Sequence, residues 1–150
     1  KLQKINYIKY HQNSFILTFL YFCMPIFVIH EHRAKKLHWD LRLESGGVLK
    51  SWAVPKQPPR SKNLKRLAIS VEDHPKSYAN FQGEIKEGYG KGRVRIWDKG
   101  NYSFESKSPK KLVFILQGKI LKGKYCLIKA DFKDSDDKKK NDQWLFFRIK

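Results

Sequence analysis

From Ile26 to the C-terminus, apolar and polar residues alternate in short runs. These are closed by turn signals at Gly46-Gly47, Gln57-Pro58-Pro59, His74-Pro75, Gly88-Tyr89-Gly90, Lys99-Gly100-Asn101, Gln117-Gly118 and Lys122-Gly123. A period of two marks a strand with one buried face, because successive side chains point to opposite sides. The alternation predicts strands over 27–33, 38–45, 48–54, 66–72, 92–98, 102–104, 112–117, 123–130 and 144–149. No stretch of a dozen residues carries a comparable helical stripe, and Pro75 to Phe81 predicts one helical turn after a strand ends. Short strands at close spacing predict an all-β fold, a compact small β-barrel with short helical turns. The charged stretch KDSDDKKKND, residues 133–142, reads as a solvated loop before the last strand.

The first 29 residues break the pattern, with Lys1, Lys4 and Lys9, no acid, and an apolar run from Phe15 to Ile29 interrupted by Thr18 and Pro25. A basic start before an apolar run suits a signal peptide, but no small-x-small cleavage site follows. The run is also shorter than the ~20 apolar residues of a membrane helix. An apolar β-segment covering the core is the other reading. Residues 1–25 are set apart as an apolar leader and residues 26–150 are assigned to the barrel domain, expected in the cytoplasm as a monomer with no membrane partner.

Composition narrows the function. The chain has 150 residues, 41% apolar and 31% charged, which suits a single domain with a real core. Its net charge of +18 points to a polyanionic partner. The charge is uneven: residues 30–66 hold ten bases and three acids, residues 67–106 six of each, and residues 107–150 thirteen and five. Cys23 and Cys126 show no Cys-x-x-Cys spacing, so neither a disulfide framework nor a thiolate zinc site is indicated, and a reducing compartment fits. Cys126 lies in an apolar strand and reads as a small buried hydrophobe.

The candidate chemistry lies in two strands. In 38–44, His38, Asp40, Arg42 and Glu44 line one face, while Trp39, Leu41 and Leu43 line the other. Solvated faces favour Lys, Glu and Thr, whereas His and Asp two apart are a common pair of metal ligands. His32, or His30 beside it, supplies a third. A two-His, one-carboxylate set suits Mn²⁺, Zn²⁺ or Fe²⁺ with positions left open for substrate. In the second strand Arg66, Ser70, Glu72 and His74 are expected to share a face, with Leu67, Ile69 and Val71 toward the core. Lys56 follows just past a strand end. Metal ligands, a proton-transferring histidine and the cations Arg42, Lys56 and Arg66 together form an inventory for a phosphate ester.

The ordered motifs HEHRAKKLHWDLRLESGGVLKSWAVPK, KRLAISVEDHPKSYANFQGEI, YGKGRVRIWDKGNY and WLFFRIK closely resemble the 3′-phosphoesterase domain of bacterial DNA ligase D and its stand-alone archaeal and bacterial relatives. The resemblance runs from about Phe27 to the C-terminus. It implies a compact β-barrel with a manganese site that heals DNA 3′ ends. It puts His32, His38 and Asp40 at metal-ligand positions, Arg42, Lys56 and Arg66 at phosphate-contacting positions, and Glu72, His74 and Tyr78 at further active-site positions. The implied activity has two steps, removal of a 3′-terminal ribonucleoside by a phosphodiesterase and then removal of the remaining 3′-phosphate. Two departures stand out. The family usually has a polar arm before the first motif, where this chain is apolar, and His30 stands where glutamine is common.

The expected function is therefore a Mn²⁺-dependent 3′-phosphoesterase acting on DNA or DNA/RNA 3′ ends in repair, with a DNA ligase and a polymerase as partners. His74 either protonates the leaving oxygen, oriented by Glu72, or hydrogen-bonds the transition state, and Tyr78 touches phosphate or sugar. The apolar arm predicts that the 3′-phosphate is hydrolysed slowly or not at all. Two rivals remain: a non-catalytic basic β-barrel that binds nucleic-acid ends for a ligase or polymerase, and a cupin-like metal enzyme for a small metabolite. Trp39, Trp52 and Trp97 read as core. Phe81 and Tyr89, near turns, are better placed to touch a terminal sugar or base.

Overall fold

The structure is a computed structural model that describes residues 16–20, 23–130 and 142–150. Its strands are β1 (Ile26–Arg33), β2 (Leu37–Ser45), β3 (Val48–Val54), β4 (Lys65–Pro75), β5 (Gly83–Ile85), β6 (Gly92–Ser108), β7 (Lys111–Gln117), β8 (Lys122–Lys129) and β9 (Gln143–Arg148). A 3₁₀ turn, Lys76–Asn80, follows β4 where the helical turn was expected. Eight strands close antiparallel in the order β1-β2-β3-β4-β9-β8-β7-β6 and back onto β1, while β5 pairs with the start of β6. The expected all-β barrel is thus the observed fold. Closure removes the open sheet edges that would otherwise template aggregation.

Alternate residues of each strand fill the barrel. Phe27 and Ile29, Trp39, Leu41 and Leu43, Trp52, Phe114, Leu127 and Phe146 belong to one interior cluster. Each such fully buried side chain contributes roughly 1.5–3 kcal/mol relative to exposure. Trp39 and Trp52 are core as expected, and Trp97 is partly buried against the same cluster with Arg60 5.3 Å from its ring centroid. Cys126 is buried. The Asp98 carboxylate, also buried, accepts the backbone N–H groups of Lys99, Lys119, Ile120 and Leu121 and so folds the β7–β8 connection.

Three sequence expectations are corrected. The runs 92–98 and 102–104 are one strand of 17 residues. Gly100 lies inside it because a Cβ there would collide with the Gln117 carbonyl of β7, so the glycine serves close strand approach and marks no turn. The short β5 was not anticipated, since three residues, Gly-Glu-Ile, carry no readable period.

The third correction concerns β4. Leu67, Ile69 and Val71 do not form its core stripe; Ala68 is fully buried and Leu67 is 36% exposed. Trp52 and Trp144 meet edge to face, with centroids 6.1 Å apart, and pair across the ladder with Ser70 and Ala68. Two indoles fill the space on that side, so β4 presents small residues inward, and hydrophobicity alone selects the wrong face. A bulge then changes the parity: Ser51 pairs with Val71 but Leu49 pairs with His74. His74 therefore leaves the face of Arg66 and Ser70 and joins that of Ser51.

A second, smaller cluster lies on the outer wall. Val28, Leu49 and Ala79 are buried together, with Ile26, Tyr78 and Ile96 against them. This apolar floor seats the 3₁₀ turn, and ion pairing of Lys76 with Glu44 at 2.6 Å and a hydrogen bond from Lys99 to Asn80 fasten it. Residues 16–20 are helical and exposed, whereas most of the 1–25 leader and nearly all of the 133–142 loop lie outside the described residues. No described helix is long and apolar enough to cross a membrane.

Candidate active site

The β1–β2 hairpin turns at 34–36, so His32 faces His38, His30 faces Asp40 and Val28 faces Arg42. The odd-numbered Phe27, Ile29, Trp39, Leu41 and Leu43 point into the barrel. The even-numbered polar set therefore stands on the outer wall, under the 3₁₀ turn. Asp40, Arg42, His30 and His32 are buried although they lie outside the core: Tyr78 of the turn packs on His30 and Arg42, and Gly90 of the β5–β6 connection meets His32. Gly46-Gly47 makes the β2–β3 turn and places Ser51 opposite Arg42.

His32, His38 and Asp40 form a compact trio whose ligand atoms lie within 4.8 Å of one another. The His32 Nε2–H donates to the Gly90 carbonyl at 2.7 Å, which leaves Nδ1 3.6 Å from Asp40 Oδ2. The His38 Nδ1–H donates to the Lys36 carbonyl at 3.0 Å, which leaves Nε2 3.6 Å from Asp40 Oδ1. Both rings thus have one nitrogen fixed by backbone and the other aimed at the carboxylate, the arrangement that sets tautomer and orientation in metal-binding histidines. Burial alone would raise the Asp40 pKa, but the two imidazoles and the Arg42 guanidinium outweigh it and hold the carboxyl well below the usual range. Asp40 in turn raises His38. An ionised carboxylate with two oriented imidazoles fits a divalent transition metal.

Arg42, 4% exposed, organises the rest. Its Nε–H donates to His30 Nδ1 at 3.2 Å, Nη1 to Ser51 Oγ at 2.8 Å and Nη2 to Asp40 Oδ2 at 3.2 Å, and Nη1 lies 3.0 Å from His74 Nδ1. The guanidinium also sits 5.0 Å from the centroid of the Tyr78 ring. Burial first, then the Arg42 charge, push His30 down to about 4, so its ring is neutral and its Nδ1 accepts. The other nitrogen, Nε2, is also buried. Burial and Arg42 also lower His74. Tyr78 packs on His74 at 4.8 Å, meets His30 edge-on at 5.5 Å and stacks on Phe81 at 4.9 Å.

Among the residues singled out from sequence, the structure gathers His30, His32, His38, Asp40, Arg42, His74 and Tyr78. Lys56 is exposed on the β3–β4 connection, and Arg66 donates its Nε–H to the Gln57 carbonyl at 2.8 Å, on the face away from Ser51. The Glu72 side chain is exposed, and the nearest part of that residue to His74 Nδ1 is its backbone carbonyl, 3.1 Å away. Sequence reasoning passed over Ser51, which the Gly46-Gly47 register places opposite Arg42. It also missed the Gly90 carbonyl, for which no side-chain signal exists.

Residues 30–129 match the model of the DNA ligase D 3′-phosphoesterase domain family. The chain is 43% identical over 129 residues to the multifunctional non-homologous end joining DNA repair protein LigD of Mycobacterium tuberculosis. It is 41% identical over 130 residues to the multifunctional non-homologous end joining protein LigD of Pseudomonas aeruginosa, and 41% identical over 136 residues to that of Mycolicibacterium smegmatis. Each alignment covers 83% of this chain but only 15–17% of the relative, so the chain spans about one sixth of their length.

Proposed function

The chain belongs to the DNA ligase D 3′-phosphoesterase domain family, and from that membership and its outer-wall site we propose that it is a Mn²⁺-dependent phosphoesterase that removes a 3′-terminal ribonucleoside from a DNA strand. The observation that supports this most strongly is the coupling of the trio His32, His38 and Asp40 to a buried arginine through Asp40 itself. A solvated strand face would need neither the oriented tautomers nor the covered charge. His32 Nδ1, His38 Nε2 and the Asp40 carboxylate would hold the metal, which when bound supplies Lewis-acid polarisation of a phosphoryl oxygen and a more acidic water.

The protein's own groups do the positioning. Arg42 keeps Asp40 ionised and places a fixed positive charge beside the trio, where the covered site strengthens its effect on charge developing at phosphorus. With the His74 Nδ1 engaged by Arg42, its proton resides on Nε2, and the lowered pKa keeps the ring neutral near pH 7. That favours His74 as a hydrogen-bond donor to the oxygen of the breaking bond, which is the 5′ oxygen of the departing ribonucleoside because the phosphate stays on the strand. The Tyr78 ring backs both His74 and Arg42 and holds them in place. Lys56 and Arg66, off the cluster, supply long-range charge toward a bound strand.

The site also fits DNA repair by non-homologous end joining, the activity named for the relatives, in the company of a ligase and a polymerase. The experiment is a time course with a 5′-labelled duplex ending in a single 3′-ribonucleotide, with Mn²⁺ or with chelator. Shortening of the labelled strand to a 3′-phosphate only in Mn²⁺ is expected. Tight binding without cleavage in any metal would favour the end-binding barrel, and salt-independent activity on a small neutral metabolite would favour the cupin-like enzyme.

A further inference from the structure

The β5–β6 connection packs on His32 of the metal-ligand trio and carries an aromatic ring that no described residue covers. Gly88 and Gly90, at φ +83° and +96°, fold a tight loop that residues with side chains would strain. Between them Tyr89 is fully exposed. The loop is no free tip: the Gly90 carbonyl takes the His32 Nε2–H at 2.7 Å, and a Cβ on Gly90 would stand 3.5 Å from the His32 ring. Tyr89 is thereby fixed one residue from a contact to the trio. Phe81, the other aromatic near a turn, is half-buried and committed to its stack on Tyr78, at 14° between planes. Exposed Lys86, Lys91 and Arg93 flank the loop, with Glu87 beside them.

A large apolar ring held in water at the margin of a site has no structural return, and a flat face at that place suits a nucleobase, whose stacking tolerates any sequence. We propose that Tyr89 is a positioning residue that stacks on the last base of the bound strand and so registers the 3′ end against the trio. This rests on the phosphoesterase reading above. Flanking cations suit the adjacent phosphates.

The test uses equilibrium binding of a DNA duplex whose strand ends in a deoxynucleotide with a 3′-hydroxyl, so nothing is left to hydrolyse, with 2-aminopurine as its last base or with an abasic last residue. Wild type should quench the 2-aminopurine fluorescence. Tyr89→Ala should weaken binding of the base-bearing end about 5- to 150-fold, whereas Tyr89→Phe and Tyr89→Trp stay within about threefold of wild type. Removing the base should cost the wild type a similar factor and cost Tyr89→Ala almost nothing further. Mn²⁺ affinity, measured by calorimetry without DNA, should be unchanged in Tyr89→Ala. Wild-type affinity in Tyr89→Ala, an equal loss on the abasic end, or a fall in Mn²⁺ affinity would each overturn the proposal. Failure of wild type to bind either duplex would overturn the phosphoesterase reading and the proposal with it.

Discussion

The Nε–H of Arg42 donates to Nδ1 of His30 at 3.2 Å, across the β1–β2 hairpin and beneath the 3₁₀ turn. Because Nη1 and Nη2 are taken by Ser51 and Asp40, the guanidinium is locked on three sides. Its orientation is set before any substrate arrives, which is the condition for electrostatic stabilisation without reorganisation.

Arg42→Lys should therefore fail even though the charge is kept. One ammonium cannot reach His30, Ser51 and Asp40 together, and the partners it leaves are buried acceptors. A loss of roughly 2–4 kcal/mol in transition-state stabilisation is expected, about 30- to 1000-fold in kcat/KM. Steady-state kinetics on the ribonucleotide-ended duplex checks it, and near-normal turnover would reduce Arg42 to a spectator.

His30→Gln should be tolerated. The glutamine Oε1 can accept the Arg42 Nε–H as the neutral imidazole does, so activity should stay within about fivefold. His30→Leu keeps the volume but removes the acceptor, leaving a buried donor unsatisfied at a cost of ~1–3 kcal/mol. Comparing chemical denaturation and kcat for the two variants separates the hydrogen bond from the packing; equal behaviour would show that the Arg42–His30 contact is dispensable.

Glu44 makes part of the stability depend on pH. Burial would raise its carboxyl, but the Lys76 ammonium at 2.6 Å and the Ile26 N–H at 3.0 Å prevail and lower it below 4.5. A depressed carboxyl contributes stability that is fully present above its unfolded value and is lost as pH falls through its folded one. Glu44→Gln should cost roughly 1–2 kcal/mol at pH 7. It should also flatten the fall in urea midpoint between about pH 5 and pH 3. Parallel acid limbs in wild type and variant would exclude Glu44 as a contributor.

The two hydrolytic steps should separate. A terminal phosphate monoester carries more negative charge than the diester, while Arg42 already donates to His30, Ser51 and Asp40, Arg66 donates to the Gln57 carbonyl and Lys56 is exposed on the β3–β4 connection. The strand bearing a 3′-phosphate should accumulate in the time course. Prompt conversion to a 3′-hydroxyl would show that the gathered residues suffice for both steps.

The hairpins were legible because their signals are local. The run from His38 to Glu44 alternates without interruption, and Gly46-Gly47 fixes the β2–β3 register. What stayed hidden depended on partners distant in sequence. Ala68 faces inward because Trp144 and Trp52 occupy the volume there, and His74 reaches Ser51's face only through the bulge opposite Leu49. Nor does sequence show that the polar side of β2 is covered, since that follows from Val28, Leu49 and Ala79 closing over a second apolar floor. Read alone, the same alternation describes a wet strand.

The most direct test of the account is anomalous diffraction at the manganese edge from crystals grown with Mn²⁺. One peak is expected, in coordination contact with His32 Nδ1, His38 Nε2 and the Asp40 carboxylate, and it should vanish in Asp40→Ala, which should also lose hydrolysis while keeping the barrel. A peak elsewhere, or full hydrolysis by Asp40→Ala at saturating Mn²⁺, would contradict the assignment of the outer wall of β1 and β2 as the catalytic centre.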